Sequence, residues 1–241
     1  MVVVIDADNT QLSKLEEVLR EISTHGRIVV KRAYGNWQKD SLKNWEEVLK
    51  HLAIKAVQQF DYVSGKNATD MALLIDTLDL LYTHIYDAFV IVSSDSDYTP
   101  LAIKLHESGV YVMGVGEKKT PASFRNSCDE FLFLENLSGS RNTSGAAEEK
   151  PRTRRDSGKE EEIDGIDEIH ALLRKAYVTY QDDDGFANMA PAGNFIKRAK
   201  PDFDCRTYGF AKLLNLLEAF PKRYEIRKAH GNSTVTAYRC R

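Results

Sequence analysis

Short, uninterrupted apolar runs that end in acidic or polar residues constrain the first part of the chain most. Residues 2–5 read Val-Val-Val-Ile before Asp6, and residues 88–92 read Ala-Phe-Val-Ile-Val before Ser93. A strand that is apolar on both faces is typical of a parallel sheet, which is covered by helices on both sides. Segments with helical spacing alternate with such strands. The helices are predicted at 12–22, 42–51, 70–82 and 100–108, and further strands at 28–34, 53–58, 110–115 and 131–134.

This alternation predicts an α/β fold with a mostly parallel sheet and helices on both faces over residues 1–137. Residues 138–162 contain no aromatic or large apolar residue and are predicted to be a flexible linker. Helices at 166–180, 190–199 and 206–219, followed by strands at 223–228 and 234–239 around a turn at 230–233, predict a small winged-helix-like α+β domain over 163–241.

Charge separates the two predicted domains. Residues 1–137 hold 14 Lys and Arg against 20 Asp and Glu, whereas residues 163–241 hold 13 against 10. The net negative charge of the first domain therefore does not favour binding of nucleic acid, but its carboxylates are suited to bind metal ions that in turn contact phosphate. The three cysteines form no CxxC pair, and no apolar stretch reaches the length of a membrane helix or a signal peptide. We expect no membrane association and a cytoplasmic location.

Aspartates follow the predicted strands at the positions where an open α/β sheet binds ligands. Asp6 and Asp8 come after the first strand, and Asp95 and Asp97 come after the strand at 88–92. The carboxyl ends of parallel strands share one edge, so these acids are expected to meet there. Asp70 begins the core-facing side of its helix, which places it at the same rim. Each acid alone would be explained by helix capping; three segments that converge on one edge favour a site.

Crowded carboxylates repel one another unless a cation lies between them. Ligands that are all oxygen favour Mg²⁺ or Mn²⁺ over zinc, and such an ion can activate water next to a phosphodiester. Asn9, Ser93 and Ser94 are candidate hydrogen-bonding partners for this site. Lys66 and Asn67, just before Asp70, are candidates to contact phosphate or the attacking water.

Three stretches in this order resemble the acidic motifs of NYN domains, which belong to the PIN-like nuclease group. They are residues 2–9 (VVVIDADN), 66–70 (KNATD) and 93–98 (SSDSDY), and residues 123–129 (SFRNSCD) resemble the closing helix of that family. The resemblance implies a metal-dependent ribonuclease, in which Asp6, Asp70, Asp95 and Asp97 hold the metal and Asn9 supports them. Asp8 is the acid least expected to be essential.

Residues 201–213 (PDFDCRTYGFAKL) are similar to OST-HTH (LOTUS) domains, a family associated with RNA binding and, in some members, with protein docking. The resemblance implies that RNA is the partner, with a protein partner as a further option for this domain. The basic candidates for phosphate contact are Lys197, Arg198, Lys200, Arg206, Lys212, Arg227 and Lys228. Tyr208 and Phe210 are expected to pack in the core.

Two alternatives stay open at the level of sequence. Residues 6–10 (DADNT) match the DxDxT signature of haloacid-dehalogenase-type phosphatases, in which Asp6 would be the nucleophile and Asp8 the acid/base. The chain could also be a non-catalytic RNA-binding adaptor with a degenerate nuclease site.

Overall fold

The computed structural model describes residues 1–62, 67–139, 165–228 and 236–241. These residues form two compact units, Met1–Ser138 and Gly139–Arg241, and each is described by itself. Lys66 and the turn predicted at 230–233 lie outside the described residues, as does the linker predicted over 138–162 apart from its first two positions.

The first unit is built on a six-stranded sheet in which all neighbouring strands are parallel. The strands are β1 (Val2–Asp6), β2 (Val30–Gly35), β3 (Lys55–Gln58), β4 (Ala88–Val92), β5 (Tyr111–Gly116) and β6 (Glu130–Phe133). Their order across the sheet is β3-β2-β1-β4-β5-β6. The predicted parallel α/β fold is confirmed.

Alternate residues of β1 pack against helices on opposite faces of the sheet. Val3 and Ile5 belong to the core beneath α1 (Leu15–His25) and α2 (Trp45–His51), and Val2 and Val4 belong to the core on the other face. That second core is formed with α3 (Ala68–Tyr82), α4 (Thr99–Glu107) and α5 (Ala122–Asn126). All five residues of β1 are buried, which explains the continuous apolar run in the sequence.

Strand order makes the edge between β1 and β4 a natural place for a site. The chain runs from β1 outward to β3, then returns to the other side of β1 and runs outward again from β4 to β6. This reversal leaves a crevice at the carboxyl ends of β1 and β4, where open α/β sheets bind their ligands. Asp6 ends β1, and Ser93 follows β4 directly.

The second unit combines three helices with a small antiparallel sheet of order β7-β9-β8. Its elements are α6 (Ile166–Tyr180), β7 (Ala187–Asn188), α7 (Met189–Ala199), α8 (Leu213–Ala219), β8 (Tyr224–Lys228) and β9 (Thr236–Cys240). Its own core contains Tyr208, with Phe210 packed against it, as predicted. The predicted helical domain with a closing hairpin is confirmed.

The single helix predicted over 206–219 is wrong. A short 3-10 helix spans Cys205–Tyr208, and Gly209 then adopts a left-handed backbone with φ of +82°. That conformation ends the helical path, so α8 begins only at Leu213. The sequence reading also missed β7, because two residues are too short to show any periodicity.

Gly116, the last residue of β5, is in close contact with the chain that follows β4. A Cβ atom at this position would lie 2.7 Å from the Ser93 carbonyl oxygen and 2.7 Å from Thr120 Oγ1. We expect Gly116→Ala to lower the free energy of unfolding by about 1–3 kcal/mol, because backbone cannot move aside as a flexible side chain would. The measurement is a urea unfolding curve.

Gly193→Ala is the contrasting variant: its Cβ would make only an ordinary contact of 3.6 Å with Leu213, and within α7 alanine is expected to stabilise the second unit by up to about 1 kcal/mol. An unchanged midpoint for Gly116→Ala would show that β5 and the segment after β4 can separate without cost.

Candidate active site

Asp6 is the structural centre of the acidic edge. Its side chain is buried, and its two oxygens accept four hydrogen bonds. Oδ1 accepts from the backbone N–H groups of Asp8 at 3.1 Å and Asn9 at 3.2 Å. Oδ2 accepts from Asn9 Nδ2 and from Ser93 Oγ, both at 2.9 Å. Asp6 therefore shapes the loop after β1 and connects it to the end of β4.

A chain of hydrogen bonds runs from Asp6 through the segment after β4. Ser93 Oγ donates to Asp6 and accepts from the backbone N–H of Asp95 at 3.1 Å. Asp95 Oδ1 accepts from the backbone N–H of Asp97 at 3.0 Å, which caps a short 3-10 helix at Ser96–Tyr98. Asp97 Oδ2 accepts from Asn67 Nδ2 at 3.0 Å, so the chain reaches the start of α3.

Asp70 joins the cluster through Tyr98. The Tyr98 hydroxyl donates to Asp70 Oδ1 at 2.7 Å, and the tyrosine side chain is buried. Burial strongly raises the pKa of Tyr98, and the charges of Asp6 and Asp70 raise it further. The hydroxyl therefore keeps its proton and serves as a fixed donor to Asp70.

The predicted acids lie close enough together to repel one another electrostatically. Burial raises the pKa of Asp6, and repulsion from Asp70 adds to this despite the hydrogen bonds from Asn9 and Ser93. Burial also raises the pKa of Asp70, and repulsion from Asp95, Asp97 and Asp8 raises it further against the hydrogen bond from Tyr98. A cation placed among these carboxylates would stabilise their charged forms.

Asp8 occupies a different environment from Asp6. Its side chain lies 3.4 Å from the Nζ atom of Lys39, and Lys39 lies 3.4 Å from Asp61 as well. Burial disfavours the charged form of Lys39, but the two carboxylates more than offset this and raise its pKa. Lys39 thus bridges the loop after β1 and the segment after β3 and partly neutralises Asp8.

A cleft of about 420 Å³ opens beside the acids. Its lining includes Asn9, Asp95 and Ser94, and Ser94 Oγ accepts from the backbone N–H of Glu117 at 2.9 Å. Lys119 also lines the cleft, with its Nζ atom 2.8 Å from Glu117. Ser94 therefore holds the segment after β5 against the site, and Lys119 is the basic side chain of this cleft.

The donor set fits a hard divalent cation by chemistry, since every predicted ligand offers carboxylate oxygens. As placed in the described part of the chain, no three Asp, Glu, His or Cys side chains stand close enough to hold an ion together. Asp6 has all of its acceptor positions engaged, so an ion there would replace the donor from Asn9 or Ser93. Ion binding thus requires side-chain rotation.

Among the described residues, the second oxygen of Asp70 accepts no hydrogen bond. Asn67 donates to Asp97 and orients that carboxylate, and its contact with phosphate or water stays a prediction.

Several basic side chains predicted to contact phosphate are bound to acids of their own unit. Arg206 contacts Asp204 at 2.8 Å, Lys200 contacts Glu168 at 2.8 Å, and Arg227 lies 3.3 Å from Asp184. Lys197, Arg198 and Lys212 have exposed side chains, and Arg198 donates to the Tyr180 hydroxyl at 3.0 Å. The side chain of Lys228 lies outside the described residues.

The sequence reading missed two groups of residues. Tyr98 stood in the motif at 93–98, but nothing in the sequence showed that its hydroxyl would contact Asp70. A basic cleft of about 440 Å³ in the second unit was also missed, because its cations are far apart along the chain. They are Arg174, Lys222, Arg223 and Arg241.

Comparison with known families identifies both parts of the chain. The NYN domain model matches residues 1–135, and the OST-HTH/LOTUS domain model matches residues 166–236. No curated protein matches the chain.

Two solved structures are similar to parts of the chain. A crystal structure of a protein of unknown function from Vibrio parahaemolyticus is 12% identical, covers 56% of this chain and 93% of its own, and has a TM-score of 0.47. A solution structure of an uncharacterized protein from Nitrosomonas europaea is 21% identical, covers 41% and 92%, and has a TM-score of 0.30.

The raised pKa of Asp70 predicts a pH-dependent effect of Asp70→Asn. A carboxyl group with a raised folded-state pKa stabilises the fold below its ordinary pKa of 3.8, and that contribution is lost as the pH rises through the folded-state pKa. Asn keeps an acceptor for Tyr98 and carries no charge. We therefore expect Asp70→Asn to raise the urea midpoint at pH 7 and to lose this advantage toward pH 3.

Asp79→Asn is the control, because Asp79 is exposed on the same helix. A gain for Asp70→Asn that is equal at both pH values would rule out relief of charge repulsion as its origin.

Proposed function

This chain belongs to the NYN domain family, and from that membership we propose that it is a metal-dependent ribonuclease, and specifically an endoribonuclease. The family is one of PIN-like nucleases, and the OST-HTH/LOTUS domain that follows belongs to a family that binds RNA. One observation carries the proposal. Three segments, after β1, after β4 and at the start of α3, place acids at one crevice. Hydrogen bonds hold these segments together although the acids repel one another.

In this proposal Asp6, Asp70, Asp95 and Asp97 hold Mg²⁺ or Mn²⁺. When bound, the ion supplies activation of water and neutralisation of charge on the phosphodiester. The surrounding residues set the positions of the acids: Asn67 orients Asp97, Tyr98 orients Asp70, and Ser93 with Asn9 holds Asp6. Tyr98 occupies one oxygen of Asp70, and among the described residues the other oxygen accepts no hydrogen bond, so it is available to a metal ion.

The phosphatase alternative is less well supported. Asp8, the acid/base of that alternative, is paired with Lys39. The alternative also gives no role to Asp70, which contacts Tyr98 within the acidic cluster. The adaptor alternative differs from the nuclease only because it binds RNA without cleaving it, so a cleavage assay distinguishes the two functions.

We propose that the second unit delivers RNA to this site. Lys197, Arg198 and Lys212 have exposed side chains and, with Arg206, are the candidates for phosphate contact there. A protein partner for this domain is a further part of the proposal.

We also propose a cytoplasmic location, consistent with free thiols at Cys128, Cys205 and Cys240. None of the helices in the described part of the chain has the length and apolar character to cross a membrane.

Asp95→Asn is expected to reduce cleavage of labelled single-stranded RNA by at least about 100-fold, because an amide is a poor ligand for Mg²⁺ and carries no charge. The measurement compares initial rates with Mg²⁺ or Mn²⁺ and with excess EDTA. Asp79→Asn serves as the control, since it removes an exposed carboxylate from the same unit.

Metal-dependent cleavage by the unchanged protein and by Asp79→Asn, but not by Asp95→Asn, is the expected outcome. No cleavage of varied RNAs by a folded protein in Mn²⁺ would overturn the nuclease and leave the adaptor.

Reversing two exposed charges on the second unit tests its role. Lys197→Glu with Arg198→Glu is expected to weaken binding of single-stranded RNA and to flatten the dependence of log Kd on log salt by about 0.7 per lost phosphate contact. Arg174→Glu with Lys222→Glu is the matched pair from the basic cleft. Fluorescence anisotropy across a salt series measures both, and an effect of the second pair alone would move the RNA-binding face to that cleft.

A further inference from the structure

Large apolar side chains are exposed directly beside the acidic site. Phe60 is 54% exposed, Tyr62 86%, Met71 54% and Ile75 55%. A groove of about 510 Å³, which we call the α3 groove, lies beside Tyr62, Met71 and Ile75; Gln59, Asn67, Ala68 and Ala72 complete its lining. An exposed apolar group of this kind marks a binding surface more often than a chance arrangement.

The shape of the α3 groove follows from helical spacing. Ala68 and Ala72 are four residues apart on α3, and so are Met71 and Ile75, so all four lie on one side of the helix. The two alanines are small and leave a depression between the longer side chains. Tyr62, which follows β3, also lines the groove and leaves its ring exposed to solvent.

The α3 groove and the acids are continuous. Asn67 lines the groove and at the same time donates a hydrogen bond to Asp97. Asp70 lies in the same helical turn as Met71 but contacts Tyr98 on the acidic side. If a phosphate of a polymer lay at the acids, the group next to that phosphate along the polymer would therefore lie in the groove.

The chemistry of the lining selects the kind of group. Among the described residues the lining contains no charged side chain, and its polar members are a phenol and amides, including Gln59. Residues 1–137 carry more acid than base, so phosphates gain little there from bulk charge. A nucleobase offers a flat face to Tyr62 and edges to the amides, and its size suits a pocket of this volume.

We propose that the α3 groove is a base-binding subsite that holds an unpaired nucleobase next to the phosphodiester at the acids. This rests on the proposed ribonuclease function and specifies its substrate as single-stranded RNA. In a duplex both faces of each base are covered by stacking, so a paired base cannot lie against Tyr62. The subsite contributes affinity through stacking and positions the strand across the acidic crevice.

The test measures binding of uncleaved RNA by the full chain. In an Asp95→Asn background, which preserves the RNA, anisotropy gives the Kd for a labelled single-stranded oligonucleotide with Tyr62 intact or changed. Tyr62→Ala is expected to weaken binding by about 5-fold to 100-fold, whereas Tyr62→Phe and Tyr62→Trp retain most of the affinity because they keep a ring. Tyr82→Ala is the matched control, since Tyr82 is 59% exposed at the far end of the same helix.

A second comparison identifies the base as the partner. With an oligonucleotide that carries abasic sites along its length, Tyr62→Ala is expected to cause no further loss, because the stacking partner is already absent. Equal losses on intact and abasic RNA, equal losses for Tyr82→Ala, or no loss at all would overturn the base-binding subsite, the last result assigning the groove to another occupant such as a protein.

Because this binding assay needs no turnover, its outcome is independent of whether the chain cleaves RNA. If cleavage is present, Tyr62→Ala in the active protein should raise KM for single-stranded RNA and leave kcat within about threefold, since the removed contact is made equally in the ground state and the transition state.

Discussion

The hydrogen bond between Ser93 and the buried carboxylate of Asp6 connects the two halves of the sheet at the point where strand order reverses. A buried carboxylate is costly unless its oxygens are satisfied, and Asp6 meets this condition with four donors from the segments after β1 and β4. The path of both segments is thereby set. Asp95 and Asp97 then take their positions from backbone bonds that begin at Ser93.

This arrangement holds like charges together at a cost in stability. Burial and, after it, repulsion from the neighbouring acids raise the pKa of Asp70. Replacing one of these acids by a neutral residue would relieve that cost. The sheet supplies the support, since β1 and β4 are buried throughout and each apolar side chain contributes about 1.5–3 kcal/mol. The strain of the site is therefore carried by a rigid scaffold, as is usual for functional sites.

The sequence predicted the parts of the structure that depend on periodicity and strand ends. Apolar runs located β1 and β4, and the placement of acids after them predicted that Asp6 and Asp95 would share an edge, which the structure shows. The role of Tyr98 depends on a contact across 28 positions of sequence, and no local pattern encodes such a contact. The break at Gly209 was missed for a different reason, because a glycine within a helical pattern does not by itself show a left-handed backbone.

Helix α3 presents two surfaces from a single turn: Asp70 on the side of the acids and Met71 on the side of the groove. A rigid helix cannot move one of them without the other. Substitutions that tilt or shift α3 are therefore expected to disturb the acids and the groove together, because Asp70 and Met71 are neighbours on the same turn.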